Sequence, residues 1–258
     1  MSTYKPLAET LRPVDLSDFI GQQHLLDSDK PIGKALKDNQ LHSMILWGPS
    51  GVGKTTLARI ICSQIGAHFE QMSAVLDGVK ELRNIIKHAE LYKQNNKSTI
   101  LFVDEIHRFN KAQQDGFLPH IESGLLTLIG ATTENPSFEI NSALLSRARV
   151  YVLKKLGNEE LKVIALRAMK SQQISLEDDG SLNLVIENRD GDARRLINII
   201  EQLANSSGMA LKKTDVVKIL QKKLGSFDKG GDIFYQQLSA FHKSVRGSSP
   251  DGALYWMA

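Results

Sequence analysis

The sequence predicts an α/β fold: a five-stranded parallel sheet with flanking helices, followed by a small all-α unit. Three observations predict it. Gly48-Pro49-Ser50-Gly51-Val52-Gly53-Lys54-Thr55 lies between a short apolar run and an apolar-faced helical stretch. A second apolar run, Thr99 to Val103, ends in two acids, Asp104 and Glu105. Beyond residue 157 the apolar spacing is helical, with no strand pattern between the helices.

The elements follow in order. Residues 1–13 read as irregular, with Pro6 and Pro13 flanking a short polar piece that ends in Leu11-Arg12-Pro13. In the next stretch Val14, Leu16, Phe19 and Ile20 are apolar. Spacing alone leaves two readings open: a segment packed on the domain edge, or a wall for a flat aromatic base. A helix is expected over 31–39, then a buried strand over 43–47. Thr56 to Ile61 continues the helix after the glycine loop. His68 to Ala74 alternates weakly and reads as a strand. Residues 78–94 read as a helix with Val79, Leu82, Ile86 and Ala89 on one face. The run 99–105 is apolar enough for a strand covered on both sides, as in a parallel sheet. Residues 125–133 form a further strand, 143–149 a short helix and 150–153 a fifth strand. Helices are expected over 159–171, 181–188, 193–205 and 214–223, with Asp192 as N-cap of the third. Leu196, Ile200 and Leu203 share a face of that helix, as do Val216 and Leu220 in the next. Gly225 to Asp232 reads as a linker.

Composition narrows the class. The chain has 258 residues, 41% hydrophobic, with a formal charge of +3. That charge permits nucleic-acid binding without demanding it. No apolar run approaches a membrane span, and the N-terminus has no secretory signal pattern, so the expected setting is the cytoplasm, with no membrane partner. The lone cysteine, Cys62, excludes an internal disulfide and reads as core. Trp47 also reads as core.

The chemistry concentrates in two places. In G-x-x-x-x-G-K-[ST], glycines let backbone N–H groups close around phosphates at the positive end of a new helix. Gly48, Pro49, Ser50, Gly51, Val52 and Gly53 supply that loop. Lys54 can reach the outer phosphates, the Thr55 hydroxyl can take a place on Mg²⁺, and Thr56 continues the helix. ATP and Mg²⁺ are therefore the expected cofactors. Asp104 and Glu105 sit at the carboxyl end of a strand, where open α/β sheets bind ligands. Asp104 is expected in the metal shell. Glu105 is expected to orient or deprotonate the attacking water, pointing the other way from its strand neighbour. Polar residues at the end of the fourth strand, Thr132 and Thr133, would lie between these features. By charge alone Arg147, Arg149, Arg194 and Arg195 are surface groups. His107, Arg108 and Lys111 are either a solvated face or a link from DNA to Glu105. The pairs Lys154-Lys155, Lys212-Lys213 and Lys222-Lys223 give modest support for phosphate contacts.

These motifs, with Ser146-Arg147 and Gly191-Asp192-Ala193-Arg194-Arg195, resemble the AAA+ ATPases. The chain is particularly similar to the replication-associated recombination protein A family, bacterial relatives of the Werner-helicase-interacting protein. The narrowing residues are Asp104 to Asp115, Ile129 to Glu139 and Ser239 to Ser248. The resemblance runs from Leu11 to Ala258. It implies that Thr133 senses the γ-phosphate, that Arg147 is a finger inserted into a neighbouring subunit's site, and that Arg194 is the lid arginine. It also implies that Val14, Phe19 and Ile20 wall the adenine. Ser50 departs from the family, which often has a proline there.

The expected organisation is a nucleotide-binding α/β domain over 1–156, a helical lid over 157–224, and a linker with the start of a truncated helical region over 225–258. Family members continue further, into a region associated with assembly, so the chain is expected to be a fragment. The implied function is a DNA-dependent ATPase maintaining replication forks and acting in recombination and repair. Its implied partners are forked, gapped or ended DNA and single-strand-binding protein, near the nucleoid. The full-length protein is expected to be a homo-oligomer, with a monomer as the alternative for this stretch. A clamp-loader or branch-migration motor subunit and a nucleotide-gated scaffold are the competing readings.

Overall fold

A computed structural model describes residues 4–176, 179–187, 190–206, 210–211, 214 and 216–219. Half of the expected helix over 214–223 lies outside these residues, as do all of the linker, the Ser239 to Ser248 motif and the pairs Lys212-Lys213 and Lys222-Lys223.

The chain opens with α1 (Leu7–Thr10), where sequence reading expected no helix. A single 3₁₀ turn (Leu16–Asp18), α2 (Gln23–Leu26) and α3 (Pro31–Lys37) follow. Next come β1 (Met44–Trp47), α4 (Lys54–Ile65), β2 (His68–Ser73), α5 (Val79–Gln94) and β3 (Thr99–Asp104). A 3₁₀ turn over Ile106–Arg108 leads into α6 (Lys111–Asp115), α7 (Leu118–Glu122) and β4 (Leu126–Thr132). Then come α8 (Pro136–Glu139), α9 (Ser142–Leu145) and β5 (Arg149–Val152). The last part holds α10 (Asn158–Gln172), β6 (Ser175–Leu176), α11 (Asp179–Glu187), α12 (Ala193–Ser206) and β7 (Ala210–Leu211).

The first five strands make one parallel sheet in the order β2-β3-β4-β1-β5. Parallel neighbours need crossovers, and helices supply them on both faces. Alternation along each strand sorts the core. Met44, Leu46, Ile100, Phe102, Ile129 and Ala131 pack on one face with Leu57 and Ile61 of α4. Ile45, Leu101, Val103 and Leu128 pack on the other with Ile85, Phe117 and Leu144. Leu46 is fully buried. Truncating such a leucine to alanine costs about 2–5 kcal/mol.

Three expectations are corrected. Val79 is 51% exposed, and Leu82, Ile85 and Ala89 form the buried face of α5. The helix begins at Val79, so its first residue lies beyond the sheet's cover. The helical part is not free of strands, because β6 and β7 pair in parallel. Two-residue strands fall below what alternation can reveal. Residues 4–11 do not belong with the sheet. Leu7 and Leu11 join the helical core with Leu161, Ala165, Leu196 and Leu203. Glu201 of α12 accepts from the Leu7 backbone N–H at 2.8 Å and the Tyr4 hydroxyl at 2.7 Å. The N-terminus thus straps the helical unit.

One buried amide fixes the route between the two units. Gln22, left-handed at φ 64° and almost fully buried, donates to Lys154 O at 2.7 Å and accepts from Lys154 N at 2.9 Å. Its side chain supplies the hydrogen-bonding pair that another strand would have given to the chain leaving β5.

Candidate active site

The loop between β1 and α4 closes over the carboxyl end of the sheet. Gly48 N donates to Thr132 O at 3.2 Å, tying the loop's start to β4. Lys54, the first residue of α4, is only 8% exposed. Its ammonium donates to Gly48 O at 2.6 Å and Pro49 O at 2.8 Å. Burial pulls its pKa below the usual lysine value, while Glu105 and Asp104 pull it back up. The amides at the head of α4 have no partner within the helix, which makes this end suited to an anion.

Asp104 ends β3, in register with Ser73 of β2. Glu105 does not continue the strand, contrary to expectation. It is left-handed at φ 52°. A non-glycine residue there costs about 1–2 kcal/mol, and such strain collects at working sites. The effect is geometric: both carboxylates line the same cavity rather than opposite faces of the sheet. Gly130 makes room beside them, since a Cβ there would meet Ile45 at 2.7 Å and Ile106 at 3.0 Å.

Glu105 is held from two sides. The Thr133 hydroxyl donates to its Oε2 at 3.4 Å, and His107 Nδ1 lies 3.2 Å from the same oxygen. His107 Nδ1 is also 3.0 Å from Thr132 Oγ1. The Thr132 hydroxyl donates to Glu134 O and accepts from Glu134 N, so its remaining capacity is as an acceptor. His107 Nδ1 is therefore placed to donate to both oxygens. Of the two threonines, the buried Thr132 holds the turn and Thr133 touches the acid.

The cavity has a volume of about 210 Å³. Ser50 to Thr56, Asp104 and Glu105 form its polar side. Leu11, Pro13, Phe19 and Ile20 form an apolar wall, with Leu156, Ile164 and Ile197 above. Arg194 enters from the first turn of α12. Gly48 and Pro49 stand behind the loop, holding Lys54 rather than facing the cavity. Val14 is not part of the wall: it is 71% exposed, while its neighbour Pro13 turns inward. Arg147 is not in this cavity either. It donates to Ala143 O and Ser146 Oγ and pairs with Glu122.

Two further arginines line the cavity, and sequence reading missed both. Arg12 donates to Thr56 Oγ1 at 3.2 Å and pairs with Glu9, holding that carboxyl below its usual range. Arg167 of α10 donates to Asp18 O at 2.8 Å across the cavity mouth. The available signal was Leu11-Arg12-Pro13 itself, an arginine beside a proline just ahead of an apolar stretch.

The family description "ATPase family associated with various cellular activities (AAA)" matches residues 44–156. Residues 44–156 are thus similar to the AAA ATPases. A second description, "AAA C-terminal domain", matches residues 170–246. Replication-associated recombination protein A of Escherichia coli strain K12 is 50% identical across all of this chain and 60% of its own length. "ATPase WRNIP1" of Dictyostelium discoideum is 42% identical over 99% of the chain and 32% of its own length. The chain thus spans about 60% of the length of the bacterial relative. Among solved AAA-like folds, the Thermotoga maritima RuvB Holliday junction branch migration motor superposes with a TM-score of 0.67 at 28% identity. It covers 82% of this chain and 72% of its own. The two descriptions cover the sheet with its glycine loop and part of the helical unit after it. Among the described residues no helix is long and apolar enough to cross a membrane.

Proposed function

We propose that this chain is the motor core of a DNA-dependent, Mg²⁺-dependent ATPase that works at replication forks in recombination and repair. One observation carries the chemistry. Lys54, Thr55, Asp104, Glu105 and Arg194 face a single cavity between the sheet edge and the helical unit. The donor set suits Mg²⁺, which takes one or two protein oxygens and completes its shell with phosphate and water. Among the described residues no group of three or more metal-ligating side chains competes with that arrangement. Thr55 and Asp104 would hold the ion, which when bound neutralises phosphate charge.

The residues divide the work. Loop amides and Lys54 hold the triphosphate. Lys54 leaves the Gly48 and Pro49 carbonyls to do so. Glu105 takes a proton from the attacking water, and Thr133 keeps its carboxylate aimed. The apolar wall at Leu11, Pro13, Phe19 and Ile20 receives the base. Arg147 acts from a neighbouring subunit, where such an arginine is worth about 10³–10⁵ in rate. The work on DNA and the homo-oligomer belong to the longer protein, supported by the 50% identity to replication-associated recombination protein A. Single-strand-binding protein and a nucleoid setting extend that reading.

The test is ATP turnover by the full-length protein with and without DNA ends, gaps and forks. Stimulation by one of them is expected, and Glu105→Gln should bind ATP and lose turnover. Parental turnover by Glu105→Gln would remove Glu105 as the base. A branch-migration motor is the second reading, favoured by the RuvB superposition. Preference for a four-way junction over forks and ends would select it. ATP binding without turnover under any condition would leave a nucleotide-gated scaffold.

A further inference from the structure

The helical unit touches the phosphate loop directly, and one buried carboxylate makes the joint. Asp192 is 7% exposed. Its Oδ1 accepts from Arg195 N at 3.0 Å, capping α12. Its Oδ2 accepts from the Ser50 hydroxyl at 3.0 Å, with Arg195 Nε at 3.5 Å. Beside it Ala193 N donates to Gly51 O at 3.2 Å. Gly51, left-handed at φ 69°, leaves the space: a Cβ there would lie 1.8 Å from Asp192 Oδ1. The loop tip and the start of α12 therefore meet through two hydrogen bonds and a glycine surface.

We propose that Asp192 is a positioning residue that fastens the first turn of α12 to the tip of the phosphate loop through Ser50, setting where Arg194 meets a bound triphosphate. Arg194 lies two residues beyond Asp192, on the same turn, and lines the cavity. A helix cap alone needs one carboxylate oxygen. Here the second oxygen is spent on the loop, and a buried carboxylate is retained where an uncharged cap would serve. The joint is particular to Ser50, because a proline at that position has no hydroxyl to donate. Filling the loop with phosphate and moving the lid thus become one event. The proposal rests on the nucleotide reading above.

The experiment uses the full-length protein. ATP and ADP affinities, turnover, melting temperature and amide exchange in the first turn of α12 are measured for Ser50→Ala, Asp192→Ala, their combination and Asp192→Asn. Ser50→Ala leaves the cap intact, so it carries the test should Asp192→Ala fold poorly. Ser50→Ala and Asp192→Ala should each lower the preference for ATP over ADP by about five- to tenfold, within the usual range of coupling between sites. The double variant should lose no more than either alone. Exchange at Ala193 should rise in Ser50→Ala. Asp192→Asn keeps an oxygen for Arg195 N but turns its NH₂ toward both Ser50 and Arg195 Nε, so its ATP-to-ADP preference should fall between parental and Asp192→Ala. A parental ATP-to-ADP ratio in Ser50→Ala would overturn the proposal, reducing Asp192 to a helix cap. So would equal losses for both nucleotides that track the melting temperature. Failure of the parental protein to bind either nucleotide would instead overturn the nucleotide reading, and the latch with it.

Discussion

Arg194 in the first turn of α12 and Arg147 on the corner between α9 and β5 stand in different surroundings. Arg194 enters the chain's own cavity from a helix capped by Asp192 and seated on the phosphate loop. Arg147 stands on a corner equally well fixed, but facing elsewhere. Asn141 caps α9 by accepting from Leu144 N at 2.7 Å and donates to Asp115 at 2.7 Å. Gln114, almost fully buried, donates to Phe109 O and Glu139 O and accepts from Asn141 N. So much fixing of a corner outside the described cavity fits the proposal of an arginine offered to a neighbour. The difference teaches that a well-fixed arginine need not serve the cavity of its own chain: Arg194 lines it and Arg147 does not.

The largest effect should come from Arg147→Ala. Turnover by the full-length protein should fall about 10³-fold or more, with ATP affinity held within twofold. Mixing it with Lys54→Ala subunits should restore part of the activity, because each supplies what the other lacks. Absence of rescue would place Arg147 in its own chain's chemistry and break the contrast. Arg194→Ala is the counterpart. ATP affinity should drop about tenfold, as for one lost charged hydrogen bond, and no mixture should repair it.

Gln114→Leu sharpens the comparison through stability. It strands two carbonyls and one N–H around α9, and denaturant unfolding should register a loss of about 1–3 kcal/mol. If the melting curve is unchanged, the corner is held by something other than this amide. A smaller effect is expected from pH. Burial, then Arg149 nearby, pushes the pKa of His42 below its ordinary 6.5. The fold therefore carries His42 neutral. Its stability should decline as pH falls through 6.5 toward the lower folded value, because the unfolded chain takes up the proton first. His42→Phe should flatten that part of the profile. The smallest effect belongs to Cys62, whose thiol burial pushes up to about 11. Alkylation at pH 8 should be negligible in the native protein and rapid in denaturant.

Much of the fold was legible because its signals are local. Short apolar runs gave the five sheet strands to within a residue or two, and Leu196, Ile200 and Leu203 gave the buried face of α12. The acidic pair was legible as a pair but not in its geometry. Strand alternation sent Glu105 to the far face, and the structure turned it back with a left-handed residue. Val79 was read inward from spacing and Val14 from the family resemblance, and both lie outward, since neither signal says what covers a residue. Arg12 and Arg167 were missed because nothing in sequence brings residue 12 and residue 167 to one cavity mouth.

By itself the sequence determined the phosphate loop, the parallel sheet and a helical unit beyond it. Each is encoded by neighbours in the chain, whose spacing sets backbone shape directly. Only the tertiary structure decided that the N-terminal strap packs on the helical unit, that Asp192 reaches Ser50, and that one arginine faces inward while the other faces out. The first two depend on packing between residues more than a hundred positions apart, and no local pattern carries that information.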